Sequence, residues 1–291
     1  MPKSNHLRAV ATLLFASLLF SLGGVFIKLS TWDAIPLNGA RSGVSAVVIA
    51  IILFWFRKGD WPPRPTFTRN MILGAVAYTL TNITFIMATK LTTAANAVFL
   101  QFTAPVWVIL GSFFFLAEKP KWVDWAAVGI IIPGMGLFFA DQLSAEGVTG
   151  NFIAILSGIC MSFMVILLRS ESDAAGDIVV LGAVFALIIG LPFMFNQDWT
   201  MQNIALILGL GVFQLGISFG FYISAIRYLT AVEIIVIMSL EPILNPVWVA
   251  IFAGETPGTW AIVGGSIVVL AIIGRVFFTI QEERRTVKKA T

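Results

Sequence analysis

Long apolar runs separated by short polar links make up most of the chain. We predict ten membrane-spanning helices, because a helix needs roughly 20 apolar residues to cross the hydrocarbon core of a bilayer. The predicted spans cover residues 9–29, 36–56, 71–89, 93–117, 122–140, 148–168, 178–195, 202–226, 230–253 and 257–280. The first run is longer than the core of a secretory signal, so it is predicted to be a permanent helix.

The composition supports this interpretation of the pattern. Hydrophobic residues make up 58% of the chain and charged residues only 11%, whereas a soluble domain carries about 25% charged residues. The sequence therefore predicts an all-α integral membrane protein with a single membrane domain over residues 1–291. The single cysteine, Cys160, lies within an apolar run, so a disulfide framework is excluded.

The distribution of basic residues predicts the orientation in the membrane. Ten helices place both termini on one side, and 15 of the 18 Lys and Arg residues fall on that side. Basic residues in short loops remain cytoplasmic, so we expect cytoplasmic N- and C-termini in a multi-pass protein of the cell (inner) membrane. Residues 281–291 are predicted to form a basic cytoplasmic tail that anchors at anionic lipid.

The two halves of the sequence repeat each other. A shift of 242 − 105 = 137 residues pairs Pro105 with Pro242 without a gap between the matched positions. The same shift also pairs Gly74 with Gly211, Lys90 with Arg227, Glu118 with Glu255, and Pro120 with Pro257. Each repeat, at about 9–140 and 148–280, contains five predicted helices. Because five is odd, the second repeat must enter the membrane inverted, a plan that recurs in secondary transporters.

Short motifs at equivalent places in the repeats resemble a known family. AEKP at 117–120 and GETP at 254–257 each close a predicted helix with a proline 13 residues before the glutamate, and Leu-Glu-Pro at 240–242 and Arg41 fit the same pattern. The chain resembles the EamA repeats of the drug/metabolite transporter (DMT) superfamily. The resemblance implies an export-type carrier for small metabolites, with the amino-acid exporters as the nearest branch, and the direction of transport rests on it alone.

Polar residues form stripes within several predicted spans. In the ninth span Glu233, Ile237, Glu241, Asn245 and Trp248 recur every three or four residues. Such a stripe is costly against lipid, so we expect it to face the bundle interior or a water-filled path. With similar stripes on spans three, four and eight, the candidate substrate-binding residues are Tyr78, Asn82, Gln101, Gln214, Ser218, Tyr222, Glu241, Asn245 and Trp248.

Glu241 is the ionisable group that lies deepest in a predicted span. It has three possible roles: proton coupling, a structural pairing with Arg41 or with freed backbone donors, or contact with a substrate ammonium group. Prolines next to it are expected to kink the helix, because proline removes a backbone donor. The candidate coupling or gating residues are Glu241, Arg41, Pro105, Pro242 and Pro246. Glu118 and Glu255, at loop edges, are interpreted as helix caps or gate-edge salt bridges.

The residue inventory also bears on the class of function. The only histidine is His6, in the N-terminal tail, and the spans contain no paired acidic motif. We therefore predict no enzyme activity, no metal and no cofactor. A selective channel needs a ring of like groups or a filter sequence, which the scattered amides do not provide. A nonselective pore stays open as the less favoured alternative.

The inventory narrows the substrate as well. Phosphate-bearing substrates need several Arg or Lys groups, and few lie near the membrane interior. The aromatic content suits a neutral or aromatic amino acid carried outward by alternating access, with efflux of other apolar or cationic small molecules as the alternative. The expected partners are a small-molecule substrate and the lipid bilayer, with no nucleic acid. A monomer and a homodimer both remain open.

Overall fold

The computed structural model describes residues 3–56, 68–92, 94–116, 118–140, 147–244, 248 and 258–290, and every regular element within them is helical. The first half contains α1 (Lys3–Phe20), α2 (Gly23–Leu29), α3 (Ala34–Phe56), α4 (Arg69–Leu91), α5 (Ala94–Gln101), α6 (Ala104–Phe115) and α7 (Trp122–Phe138). The second half contains α8 (Val148–Ser170), α9 (Ala175–Met194), α10 (Met201–Gly209), a π-helix (Leu210–Ile217), α11 (Ser218–Ile226), α12 (Ala231–Met238) and α13 (Thr259–Ala290).

The helices have the length and composition of membrane spans. Within the described residues, 7 helical segments are long and apolar enough to cross a bilayer, and Asn5–Phe20 and Trp122–Phe138 are shorter apolar helices. This supports the predicted membrane class. The predicted ninth span is described only up to residue 244 and at Trp248, so the count of ten helices stays a prediction.

Large apolar side chains cover the outside of the bundle. Phe114 is 75% exposed, and Trp55, Phe56 and Phe195 are similarly open. In a soluble protein such a surface would be an aggregation hazard, whereas lipid tails accommodate it at no cost. The polar side chains, by contrast, concentrate inside the bundle or at its ends.

Three predicted spans are interrupted, of which the ninth was expected to be kinked by its prolines. A turn at Ser21 and Leu22 separates α1 from α2, and a second turn separates α5 from α6 just before Pro105. In the ninth span the helix is interrupted at Ser239, and residues 240–244 resume it with Pro242. Proline has no backbone N–H and its ring clashes with the carbonyl four residues earlier, which explains the two later breaks.

Two further differences concern the eighth span and the C-terminus. The eighth span widens into a π-helix at Leu210–Ile217, which apolar periodicity does not distinguish from an α-helix. Helix α13 continues to Ala290, ten residues beyond the predicted end of the last span, and so includes most of residues 281–291.

Close helix crossings hold the bundle together. The most extensive contacts join α3 to α9, α4 to α8, and α7 to α13. Gly39 and Gly190 meet where α3 crosses α9, and a Cβ atom on Gly190 would lie 2.7 Å from the Cα of Gly39. Small residues allow membrane helices to approach closely, which is the main source of their association in lipid.

We expect Gly190→Ala to destabilise the protein. The added methyl group meets backbone atoms of α3, and overpacking of this kind costs about 1–3 kcal/mol. Thermal unfolding in detergent should therefore show a midpoint several degrees below that of the native chain. Gly129→Ala in α7 is the matched control, because a Cβ there meets no atom within 4 Å. Equal midpoints for the two variants would contradict the packing role of the α3–α9 crossing.

Candidate functional site

The Arg41 guanidinium is the centre of a polar cluster inside the bundle. Arg41 is only 4% exposed. Its Nε and Nη2 atoms donate to Oδ1 of Asn38 at 3.2 and 3.0 Å. Nη2 also donates to Oδ1 of Asn82 at 3.3 Å, and Nη1 donates to Oε1 of Gln214 at 3.4 Å. Amide oxygens from α3, α4 and the π-helix therefore surround one buried cation.

Local structure explains how each amide reaches the guanidinium. Asn38 and Arg41 are three residues apart on α3, so their side chains share one helix face. The amide nitrogen of Asn82 donates to the carbonyl of Tyr78 at 2.9 Å, which leaves its oxygen to face Arg41. Gln214 lies in the π-helix, a deformation that often occurs at functional sites.

Glu241 is the carboxylate associated with this cluster. It lies in the helical residues 240–244, and it interacts electrostatically with Arg41, as Tyr78 also does. None of the ion pairs within the described part of the chain includes Arg41 or Glu241. The guanidinium therefore makes its contacts with neutral oxygens while the carboxylate remains at a longer range.

Other candidate residues make hydrogen bonds outside the Arg41 cluster. Gln101 donates to the hydroxyl of Ser157 at 2.9 Å, and Ser157 donates to the carbonyl of Thr81 at 3.1 Å. Ser218 donates to the carbonyl of Phe213, in the preceding π-helix, at 2.8 Å. These side chains join helices or close local turns, which is the ordinary role of polar residues between membrane helices.

The remaining predicted residues divide into those the structure describes and those it does not. The hydroxyl of Tyr222 is buried with no hydrogen-bond partner among the described residues. Trp248 donates through Nε1 to the hydroxyl of Ser21 at 2.8 Å, at the break between α1 and α2. Pro105 occupies the first turn of α6, and Pro242 is buried. Asn245 and Pro246, together with the loop-edge Glu255, lie outside the described residues.

A second polar cluster closes one end of the bundle around Glu233. Its Oε1 atom lies 3.3 Å from Nε2 of His6 and 3.6 Å from Nη1 of Arg275, and it accepts from the hydroxyl of Thr279 at 3.0 Å. Nε of Arg275 donates to Oδ1 of Asp124 at 2.7 Å. We call these five residues the end network. It joins α1, α7, α12 and α13 around a small cavity of about 10 Å³.

Glu118 extends this end of the bundle towards α8. It accepts from the backbone N–H of Ala231, at the start of α12, at 3.0 Å, and lies 3.4 Å from Nε of Arg169. Both contacts fit the predicted role as a helix cap and gate-edge ion pair. Burial raises the pKa of the Glu118 carboxyl, opposed by the Ala231 N–H and by the Arg169 charge.

Sequence reasoning missed several of these residues. Asn38 lies one helical turn before Arg41, and that spacing was a usable signal. His6 was set aside as a tail residue, yet it is 7% exposed and contacts Glu233. The predicted topology placed His6 and Glu233 at the same side of the membrane, and this was the signal in the sequence that could have joined them. The polar cluster around Arg41 also includes residues of α3, which is the second predicted span. Only spans three, four, eight and nine were expected to line the binding cavity.

Comparisons with known proteins match most of the chain. A model of the EamA-like transporter family matches residues 7–140 and 148–277. The chain is 27% identical to the threonine/homoserine exporter RhtA of Escherichia coli (strain K12), over 76% of each chain, and the same figures hold for RhtA of Salmonella typhimurium (strain LT2). It is 22% identical to an uncharacterized transporter of Clostridium kluyveri, over 70% of each.

One solved structure resembles the whole fold. A crystal structure of a protein that is 14% identical aligns with a TM-score of 0.82, covering 94% of this chain and 98% of the other. At this identity the likeness concerns the fold alone.

We expect Arg275→Gln to destabilise the protein strongly. The change leaves Asp124 and Glu233 buried without their cation, and breaking a buried pair costs about 3–5 kcal/mol. Arg227→Gln is the matched control, because Arg227 and its partner Asp173 have side chains that are 46% and 96% exposed, and an exposed pair contributes at most about 1 kcal/mol. Thermal unfolding in detergent compares the two, and similar midpoints would argue against a stabilising end network.

Proposed function

The chain belongs to the EamA-like transporter family, as its motifs predicted, and on this premise we propose that it is a secondary transporter that exports amino acids across the cytoplasmic membrane by alternating access. The named relatives support an exporter of amino acids or related metabolites. One observation carries the proposal. A buried cation, Arg41, is held by neutral oxygens from three helical elements and interacts electrostatically with Glu241.

The depth of the two groups supports a central binding site. Arg41 lies 41 − 34 = 7 residues after the start of α3, or about 10 Å along the helix. Glu241 lies 241 − 231 = 10 residues after the start of α12, or about 15 Å. Half of the hydrocarbon core is about 15 Å thick, so Glu241 falls near the midplane and Arg41 about 5 Å from it, in the region where transporters with inverted repeats bind their substrates.

The proposed architecture is ten helices in two inverted repeats. Two observations support it. The family matches the chain twice, over residues 7–140 and 148–277. Helix contacts also come in pairs that the 137-residue shift relates, since α4 packs on α8 as α11 packs on α1, and α4 packs on α9 as the π-helix packs on α3.

In this proposal the end network is the cytoplasmic gate. Its residues lie at the ends of α1, α7 and α12, and in the C-terminal half of α13, that the distribution of basic residues assigns to the cytoplasm. With those ion pairs formed, the helices are held together and the cytoplasmic path is closed. The breaks before Pro105 and Pro242 give two spans positions at which the halves of a helix can move separately.

Counterflow in proteoliposomes tests the transport function. Vesicles preloaded with unlabelled threonine, homoserine or phenylalanine should accumulate the same labelled amino acid, because a carrier exchanges substrates across the membrane. Glu241→Gln should weaken exchange if Glu241 contacts the substrate, and should abolish only the response to a pH gradient if Glu241 couples protons. Loss of counterflow for every amino acid with the native protein would contradict the proposal, and unsaturable flux would favour a channel.

Cysteine labelling tests the gate. Ile237 is 2% exposed and lines the small cavity beneath the end network. In a Cys160→Ser background, Ile237→Cys should react slowly with a membrane-impermeant maleimide added from the cytoplasmic side. Adding Glu233→Gln, which removes the charge that joins His6, Arg275 and Thr279, should speed the reaction.

A control separates gate opening from general loosening of the fold. Ala183→Cys, on α9, introduces a thiol at a position that is 0% exposed and outside the end network. Its labelling should remain slow with Glu233→Gln. Equal acceleration at both positions, or none at residue 237, would overturn the gate assignment.

A further inference from the structure

Arg41 differs from other arginines of this chain in the type of group that it contacts. Arg275 pairs with carboxylates in the end network, Arg169 lies beside Glu118, and Arg227 lies beside Asp173. Arg41, by contrast, meets amide oxygens at 3.0 to 3.4 Å. These oxygens are neutral, and a guanidinium binds a neutral oxygen less strongly than an ionised carboxylate. The most deeply buried of these arginines thus has the weakest set of acceptors.

The geometry points to a site for the carboxylate group of the transported substrate. We propose that the Arg41 guanidinium, held in place by Asn38, Asn82 and Gln214, binds this carboxylate. The inference rests on the proposed transport function and narrows its substrates to small molecules with a free carboxylate. It also gives Arg41 a binding role, where the sequence suggested coupling or gating.

The amide acceptors are suited to being exchanged for a ligand. Asn38 receives two of the hydrogen bonds from its place on the same helix, so it fixes the guanidinium plane by itself. The contacts to Gln214 and Asn82 are the longer ones, at 3.4 and 3.3 Å. A planar carboxylate can take over those N–H groups in a two-point contact, a geometry that Arg favours.

Nearby groups complete a site for a zwitterion. Tyr78 is 0% exposed and interacts with Arg41 electrostatically, and its buried hydroxyl makes no hydrogen bond among the described residues. Glu241 interacts with Arg41 without being paired to it in the described residues. A substrate carboxylate on Arg41 leaves Glu241 as the partner for an ammonium group. Both buried charges then gain a counter-charge from the same ligand, which favours α-amino acids over amines or neutral solutes.

Two variants test the assignment by opposite changes. Arg41→Gln removes the cation and should weaken amino-acid binding about 10- to 100-fold, as loss of a charged hydrogen bond does. Gln214→Glu keeps the shape of the side chain but gives Arg41 a resident carboxylate. It should preserve the fold and block the substrate by a similar factor. The matched control is Gln202→Glu, the same change at an exposed position at the start of α10.

The readout compares ligands that differ only at the carboxylate. Half-maximal concentrations are measured for threonine, threoninamide and the decarboxylated amine in counterflow, and for the rise in unfolding temperature of the detergent-solubilised protein. The native chain and Gln202→Glu should prefer threonine over the other two ligands. Gln214→Glu and Arg41→Gln should lose that preference.

Each result decides between distinct conclusions. If Gln214→Glu folds and still prefers the acid over the amide, Arg41 is not the carboxylate site, although native counterflow would keep the transport function. If Arg41→Gln does not fold, the ligand preference of Gln214→Glu alone decides whether Arg41 binds the carboxylate. If native protein shows no amino-acid counterflow, the proposed function fails. A preference for propionate over propionamide in the unfolding assay would then still support the carboxylate site, and its absence would remove it.

Discussion

A charge buried between membrane helices needs an opposite charge or several oriented dipoles, because removing it from water is costly. This chain meets the requirement in two ways. At one end of the bundle Arg275 is paired with Asp124 and lies beside Glu233. In the centre Arg41 is solvated by amide oxygens from separate elements. The first arrangement binds helices together, whereas the second leaves a cation available for a ligand.

The interrupted helices follow from a related constraint. Backbone polar groups in a bilayer must be satisfied by protein, so irregular backbone is tolerated only where neighbouring helices bury it. Near the break between α5 and α6, the hydroxyl of Thr103 donates to the carbonyl of Leu100 at 2.7 Å, and a Cβ on Gly158 would lie 2.6 Å from the carbonyl oxygen of Gln101. The break that Pro105 causes is therefore packed closely against α8, and a side-chain hydroxyl satisfies a carbonyl beside it.

The ninth span connects the two polar clusters. Glu233 and Glu241 are 241 − 233 = 8 residues apart, or about 12 Å along a helix, and the break at Ser239 lies between them. In the proposed carrier, the substrate neutralises Glu241 and Arg41. Glu241 lies in the same span as Glu233 of the end network, so binding changes the electrostatic forces on that span. Binding at the midplane and closure of the cytoplasmic end thus act on one element.

The sequence by itself determined the membrane class and the family, and it predicted ten spans with Arg41, Asn82 and Gln214 among the candidate site residues. Hydropathy and periodicity indicate which side chains of a helix face lipid and which face the bundle interior. This is a local property of each helix. The tertiary structure decided which of these residues meet. Arg41 and Gln214 are 173 residues apart, and His6 and Glu233 are 227 apart. The two breaks that precede Pro105 and Pro242 follow from local sequence, whereas the end network depends on contacts between distant helices, and no pattern along one helix encodes such contacts.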